Sequence, residues 1–280
     1  MITYPLHSAW RERLTRLYFI GSPVGPRGFG TQEQLDQRIC IDSRYNLLDV
    51  PSRYLNYRFA VAEWIWMMFG HSDVDTIARF NGVMRQFSDD GVWLTGAYGP
   101  HIHGQAKRQI ERLRKDPACR QAVIEIPRPQ QDTKDEPCTL SLQFLVRDHR
   151  LNCIVTMRSS DVWLGIPYDV FTFTQIQNCF AGELGLPRGW LSLRMGSSHL
   201  YDRDRDNTKR VLASPEWDTL RSPALPGFPP AWLEDILVQP DVTRIPVDSK
   251  DPWWPYAQVL CRTTSDDARD ILRSLDGIAF

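Results

Sequence analysis

The chain has 280 residues, 42% of them hydrophobic and 11% aromatic, enough apolar material for a sizeable core in one large domain or two small ones. Thirty-three Lys and Arg stand against 34 Asp and Glu, a formal charge of −1. No global field therefore draws the molecule to nucleic acid or to an anionic membrane, and any phosphate site has to be local.

The N-terminal stretch MITYPLHSAWRERLTRLYFIG lacks the basic start, continuous apolar run and small-residue cleavage site of a signal peptide. FAVAEWIWMMFG, the longest apolar run, contains Glu63 and falls short of the roughly 20 residues that cross a bilayer. A cytoplasmic protein is expected. Residues 57–70 predict a largely buried helix ending at Gly70, and 101–117 an amphipathic helix stopped by Pro117. The period then changes: AVIEIP, TLSLQFLV and LNCIVTMRSS are β-branched or alternating, with RDHR as a hairpin turn between the last two. DVFTFTQIQNCFAGELG predicts a buried helix closed by Gly185, and WLSLRMGSSHLY a further strand. Without regular βαβ alternation the expected class is α+β around one large sheet, in a single domain over 1–280. The Pro- and Trp-rich tail after about residue 215 is expected as a peripheral wrap with a final helix near 265–275.

Six cysteines, at 40, 119, 138, 153, 179 and 261, show neither zinc-site spacing nor the density of a disulfide scaffold. Cys138 follows Pro137 at the mouth of a strand, where a thiol faces either a pocket or the core. Arg158 opens RSSD, which places a guanidinium, two hydroxyls and a carboxylate within four residues. That set suits a phosphate, and equally a solvated strand end. His199 and Tyr201 point to one face of a strand, as sugar-binding rings or as structural ones. His101 and His103 have the same spacing, but no third metal ligand accompanies them, so no metal is expected. Glu63, alone among apolar neighbours, is either a paired structural carboxylate or a proton carrier with a raised pKa. Asp169, entering an aromatic run, needs a partner from the protein or from a ligand.

In chain order these pieces resemble the thymidylate synthase family from about Arg27 to Asp202. GPRGFGT is similar to its phosphate loop, AEWIWMMFG to its Glu-bearing helix, TGAYG to its Tyr-Gly segment, and EPCTLSLQF to its Pro-Cys strand. RSSDVWLGIPYDV resembles its longest signature, and SSHLY its sugar-binding His-x-Tyr. The resemblance implies a large mixed sheet flanked by helices, a homodimer formed through that sheet, and a pyrimidine nucleoside monophosphate and methylenetetrahydrofolate as substrate and cosubstrate. It makes Cys138 the nucleophile towards C6 of the base. Arg27, Arg158 and Ser159 would hold the phosphate, with Arg158 depressing the thiol pKa. Arg120 would reach the phosphate across the dimer, although Gln121 replaces the second arginine of the family's pair. Glu63 would organise water and relay protons, and His199 and Tyr201 would bind the sugar. Gln143 would bind substrate, while Tyr98, Asp161, Leu164, Gly165 and Tyr168 would line the base and folate pocket.

Three departures refine this expectation. Asp169 stands where thymidylate synthases have asparagine, and a carboxylate accepts from both the N4 amino group and a protonated N3 of cytosine. The resemblance is accordingly greatest to the cytidylate hydroxymethylase branch. Met84 and Phe87 stand where the family carries the tryptophans that hold folate for hydride transfer, and the ending LDGIAF differs from the family's closing segment. Both favour water over hydride as the group that completes the product. The alternatives are C5-methylation with dihydrofolate as coproduct, and a catalytically silent nucleotide-binding relative.

Overall fold

The computed structural model describes residues 2–246 and 248–276. Helix α1 (Leu6–Ile20) buries residues 6, 9, 10, 14 and 17, one stripe at helical spacing. Strands β1 (Ser22–Val24) and β2 (Thr31–Asp42) flank a tight turn at Pro26–Gly28, and β3 (Tyr45–Asp49) follows. Next come α2 (Tyr57–Met68), α3 (Val74–Ala78), α4 (Gly99–Lys115), β4 (Val123–Glu125), β5 (Thr139–Arg147) and β6 (Arg150–Asp161). Helix α5 (Gly165–Leu184) leads into β7 (Arg188–Tyr201). The described chain continues through α6 (Arg205–Leu212), β8 (Asp218–Arg221), α7 (Ala231–Val238), α8 (Trp254–Cys261) and α9 (Ser265–Ser274).

The main sheet has six strands in the order β1-β2-β7-β6-β5-β4, and β3 pairs with β8 in a separate two-stranded ribbon. Only β6 and β7 run parallel, joined by α5; the other pairs are antiparallel. The architecture is thus mixed α+β. Leu142 and Phe144 on β5, Cys153, Val155 and Met157 on β6, and Leu191, Leu193 and Met195 on β7 form the buried face. Against it lies α5, buried nearly all round, with Phe180 stacked on Phe144 at 4.3 Å between ring centres. Alternate residues Gln143, Ile154, Thr156 and Arg194 line the opposite, more open face.

Local signals behave as their chemistry requires. Asn56 caps α2 by accepting from Phe59 N at 2.9 Å. Gly185 closes α5 at φ 64°, a left-handed conformation that costs glycine little. Asp148 and His149, both at positive φ, make the two-residue hairpin turn between β5 and β6.

The segment after residue 215 is more than the peripheral wrap expected of it. Trp253 stacks on Trp64 of α2 at 5.8 Å, Tyr256 meets the same ring edge-on at 5.1 Å, and Leu233, Ile236, Val259 and Leu260 are fully buried. Helices α2 and α5 are apolar on the side away from the sheet as well, so that side needs its own cover. The tail supplies it. Of LDGIAF, residues 277–280 lie outside the described residues.

Candidate active site

The parallel pair β6 and β7 ends where most of the singled-out side chains meet. At the end of β6 lie Arg158, Ser159, Ser160 and Asp161; Asp161 is in register with His199 of β7, and His199 in turn with Glu33 of β2. The turn after β6 then delivers the start of α5 with Asp169. Asp161 shapes that turn, its Oδ1 accepting from Trp163 N at 2.7 Å and Leu164 N at 3.2 Å.

Cys138 sits just before β5, beside β6. Arg158 N donates to its carbonyl at 2.8 Å, and Ser159 Oγ lies 3.9 Å from its sulfur. The phenol oxygen of Tyr98, next to the first residue of α4, accepts from both Cys138 N and Thr139 N at 3.2 Å. The Arg158 guanidinium grips the approach to the cysteine: Nε donates to Pro137 O at 2.9 Å and Nη2 to Glu136 O at 2.8 Å, while Nη1 reaches Ser159 Oγ at 3.0 Å. Arg128 Nη1 donates to the same Pro137 carbonyl at 3.1 Å, and its guanidinium also pairs with Glu136. Two arginines therefore clamp the peptide that carries the thiol.

Burial nevertheless pushes the Cys138 thiol above its ordinary pKa. The Arg158 charge opposes this only in part, and the Asp169 carboxylate reinforces it. The expectation that Arg158 leaves the thiol depressed is therefore corrected for the free chain: desolvation outweighs the guanidinium.

Two buried acids lie near enough for the charge of one to act on the other. Burial, with the Asp169 charge second, pushes Glu63 up to about 8, and Thr172 Oγ1 donates to it at 3.5 Å. Asp169 is pushed up to about 7, chiefly by burial, against a hydrogen bond from Ser160 Oγ at 3.4 Å. Gly165 leaves Asp169 room: a β-carbon there would come within 3.1 Å of its Oδ2 and 3.3 Å of Ser160 Oγ. Burial also lifts Asp161 to about 6. Buried acids with raised pKa values beside a cysteine make this region the candidate site.

The remaining expected residues divide into two groups. His199 lies edge-on to Tyr201 at 5.2 Å, and burial lowers its pKa, with Arg158 and Arg27 both acting on it in the same direction. Arg27 is exposed on the turn between β1 and β2, at φ 54°. Tyr168 OH accepts from Asn56 N at 2.9 Å, while Leu164, 46% exposed, borders the site with Gly165. Arg120 and Gln143 stand apart. Gln143 Nε2 donates to Arg120 O at 2.9 Å, and neither bonds to the Cys138 group within this chain. His101 and His103 join no cluster, and no group of three His, Cys, Asp or Glu converges among the described residues.

Sequence reasoning missed Arg128, Thr172 and Asp135, whose carboxylate accepts from Gly96 N at 2.9 Å. Thr172 stands three residues beyond Asp169 in a recognised helix and was within reach of a periodicity argument. Arg128 and Asp135 lie on a loop with no pattern to read.

The chain is 34% identical over 173 residues to a deoxyuridylate hydroxymethyltransferase of Bacillus phage SP01, an alignment covering 54% of this chain and 45% of that relative. The chain thus matches less than half of the relative's length. A family model described as thymidylate synthase matches residues 27–223, which span the turn bearing Arg27, the clamped cysteine, both buried acids and the His199–Tyr201 pair. On that match, the chain belongs to the thymidylate synthase family.

Proposed function

We propose that the protein transfers a one-carbon unit to C5 of a cytidine monophosphate, with deoxycytidylate as the first candidate, and releases the 5-hydroxymethyl nucleotide. The observation that carries this reading is Asp169, a buried acid close enough to the Cys138 thiol for its charge to act on it. A carboxyl and cytosine N3 can share one proton while the N4 amino group donates to the second carboxyl oxygen. Cytosine N3 is a far stronger base than uracil O4, so this charge-assisted pair favours cytosine. Uracil against the ionised carboxylate would oppose two acceptors, a mismatch costing roughly 1–3 kcal/mol.

Cys138 sulfur forms a bond to C6, and the electron pair displaced to C5 attacks the one-carbon unit. Methylenetetrahydrofolate supplies that unit at the oxidation level of formaldehyde. The rim beside Asp169 suits a flat ring system: Leu164 exposes an apolar side chain, and Gly165 presents none. Glu63, largely protonated at neutral pH, gives a proton to the folate nitrogen as its bond to the transferred carbon breaks and takes one back as C5 loses its hydrogen; water then adds to the exocyclic carbon. The thiol then leaves C6. No oxidant is consumed, and tetrahydrofolate is the coproduct. In the methyl-forming alternative a hydride leaves the folate instead, and dihydrofolate appears.

Arg27, Arg158 and Ser159 are proposed for the phosphate, and His199 with Tyr201 for the sugar. The open face of β5, β6 and β7 supports assembly as a homodimer through the sheet, which would carry Arg120 to the partner's phosphate. The phage relative, a deoxyuridylate hydroxymethyltransferase, favours deoxyuridylate as a second substrate reading. Incubating the protein with the four pyrimidine monophosphates and methylenetetrahydrofolate, then weighing the products, separates these readings. A cytidylate gaining 30 mass units, about the mass of CH2O, is the expected result; uridylate as the preferred substrate overturns the role given to Asp169. Asp169→Asn is expected to move preference towards uracil by about tenfold or more, read as the ratio of kcat/KM values.

A further inference from the structure

A cavity on the described surface is lined by none of the residues around Cys138. A cleft of about 420 Å3 opens between the end of α2, one side of α4 and the end of α5, with the segment at Phe228 and Pro229 as its outer wall. Met68, Phe69, Ile102, Ile110 and Phe228 make its lining largely apolar. The size falls in the range of small-molecule sites, roughly 300–1,000 Å3.

Its walls are fixed by polar contacts, which use up every charge at the rim but one. Glu183 accepts from Phe228 N at 3.2 Å through Oε1 and from Arg114 at 3.3 Å through Oε2, while Arg114 also donates to Glu183 O at 2.6 Å. Phe228 packs edge-on against Phe180 at 5.6 Å. His103 is committed through Nδ1 to Met68 O at 2.9 Å, and it sits against Gly70, where a β-carbon would come within 3.0 Å of it. Lys107, one turn along α4 from His103, has no partner among the described residues. A preformed apolar cleft with one uncommitted cation at its mouth matches an apolar body ending in a single negative charge.

We propose that this cleft binds a small apolar carboxylic acid, with its chain or ring among Phe69, Ile110 and Phe228 and its carboxylate on Lys107. The occupant pairs with Lys107 and leaves the Arg114–Glu183 contact in place. The site is independent of the nucleotide chemistry.

Calorimetric titration of the full chain with decanoate tests the assignment, with decylammonium as the probe of opposite charge. Saturable one-to-one binding of decanoate with Kd below about 1 mM is expected, and decylammonium should bind at least about tenfold more weakly. Lys107→Glu, on an exposed helix surface, should lower decanoate affinity about tenfold and leave the thermal melt in place. Ala106→Leu, which narrows the cleft from its floor, should weaken both probes. Absence of saturable decanoate binding, equal affinity for the two probes, or an unchanged affinity in Lys107→Glu overturns the proposal.

Discussion

Glu63 and Asp169 show how far burial moves the titration of a carboxyl group. Glu63 holds its proton in the folded chain up to about pH 8, whereas an unfolded glutamate loses it near 4.5. The native state therefore binds the extra proton between those values. This contribution to stability is complete below pH 4.5 and is lost as pH rises through about 8. Glu63→Gln, which has no proton to lose, should gain stability relative to wild type between pH 5 and pH 8.5, measured by urea unfolding at both. Asp169 imposes a different dependence on binding. If a cytosine complex holds one proton that free Asp169 releases above about 7, nucleotide affinity should fall up to tenfold per pH unit above that value. Titrations at pH 6.5 and 8.5 test this, and Asp169→Asn should flatten the profile. On the nucleophilic role proposed for Cys138, Cys138→Ser should abolish turnover while leaving nucleotide binding measurable. Loss of one arm of the clamp in Arg128→Gln should alter the pH profile of thiol alkylation without changing the far-ultraviolet spectrum. Glu63, Cys138 and Asp169 were legible because each breaks the pattern of its segment. Arg128 was not, because its partners, the Pro137 carbonyl and the Glu136 side chain, lie on a loop with no period to read.

Elements were legible in proportion to their periodicity. Helices α2, α4 and α5, strands β5, β6 and β7, and the turn between β5 and β6 were readable from apolar spacing and glycine or proline punctuation. Helix α5 begins at Gly165, four residues ahead of the expected start, because Pro167 falls in the first turn, where its missing N–H leaves no gap. Helix α1 was readable too, from apolar residues at 6, 9, 10, 14 and 17, but the segment was tested only as a leader. Strand β2 offered little to read: eight of its twelve residues, Thr31 to Arg38, include one aliphatic side chain, and that one, Leu35, is 66% exposed. The β5–β6 turn makes a prediction at this scale. Asp148 and His149 have φ of 53° and 55°, where Asp-Gly is the preferred pair. His149→Gly should raise stability by about 0.5–1 kcal/mol, measured by chemical denaturation.

Across the whole molecule, the tail and helix α2 form one structure. Trp253 and Tyr256 back Trp64, the residue next to Glu63, so the turn of α2 that bears this buried acid is supported by a segment 190 positions later in the chain. Trp253→Ala should cost about 3–5 kcal/mol, seen as a lowered melting temperature. It should also move the pH profile of activity, because α2 loses part of its support. Composition could not reveal this, since Pro and Trp mark a segment as irregular without saying what it covers.

The pairing of β2 with β7 has a consequence for how the protein is made. Thr31 lies opposite Tyr201, so during translation the first long strand emerges from the ribosome well before its neighbour exists. A nascent strand in that position would invite association with other chains if it were oily. Its glutamines, acids and arginine keep it hydrated through the wait, and the same composition that hid it from sequence reading lets it arrive at assembly still single.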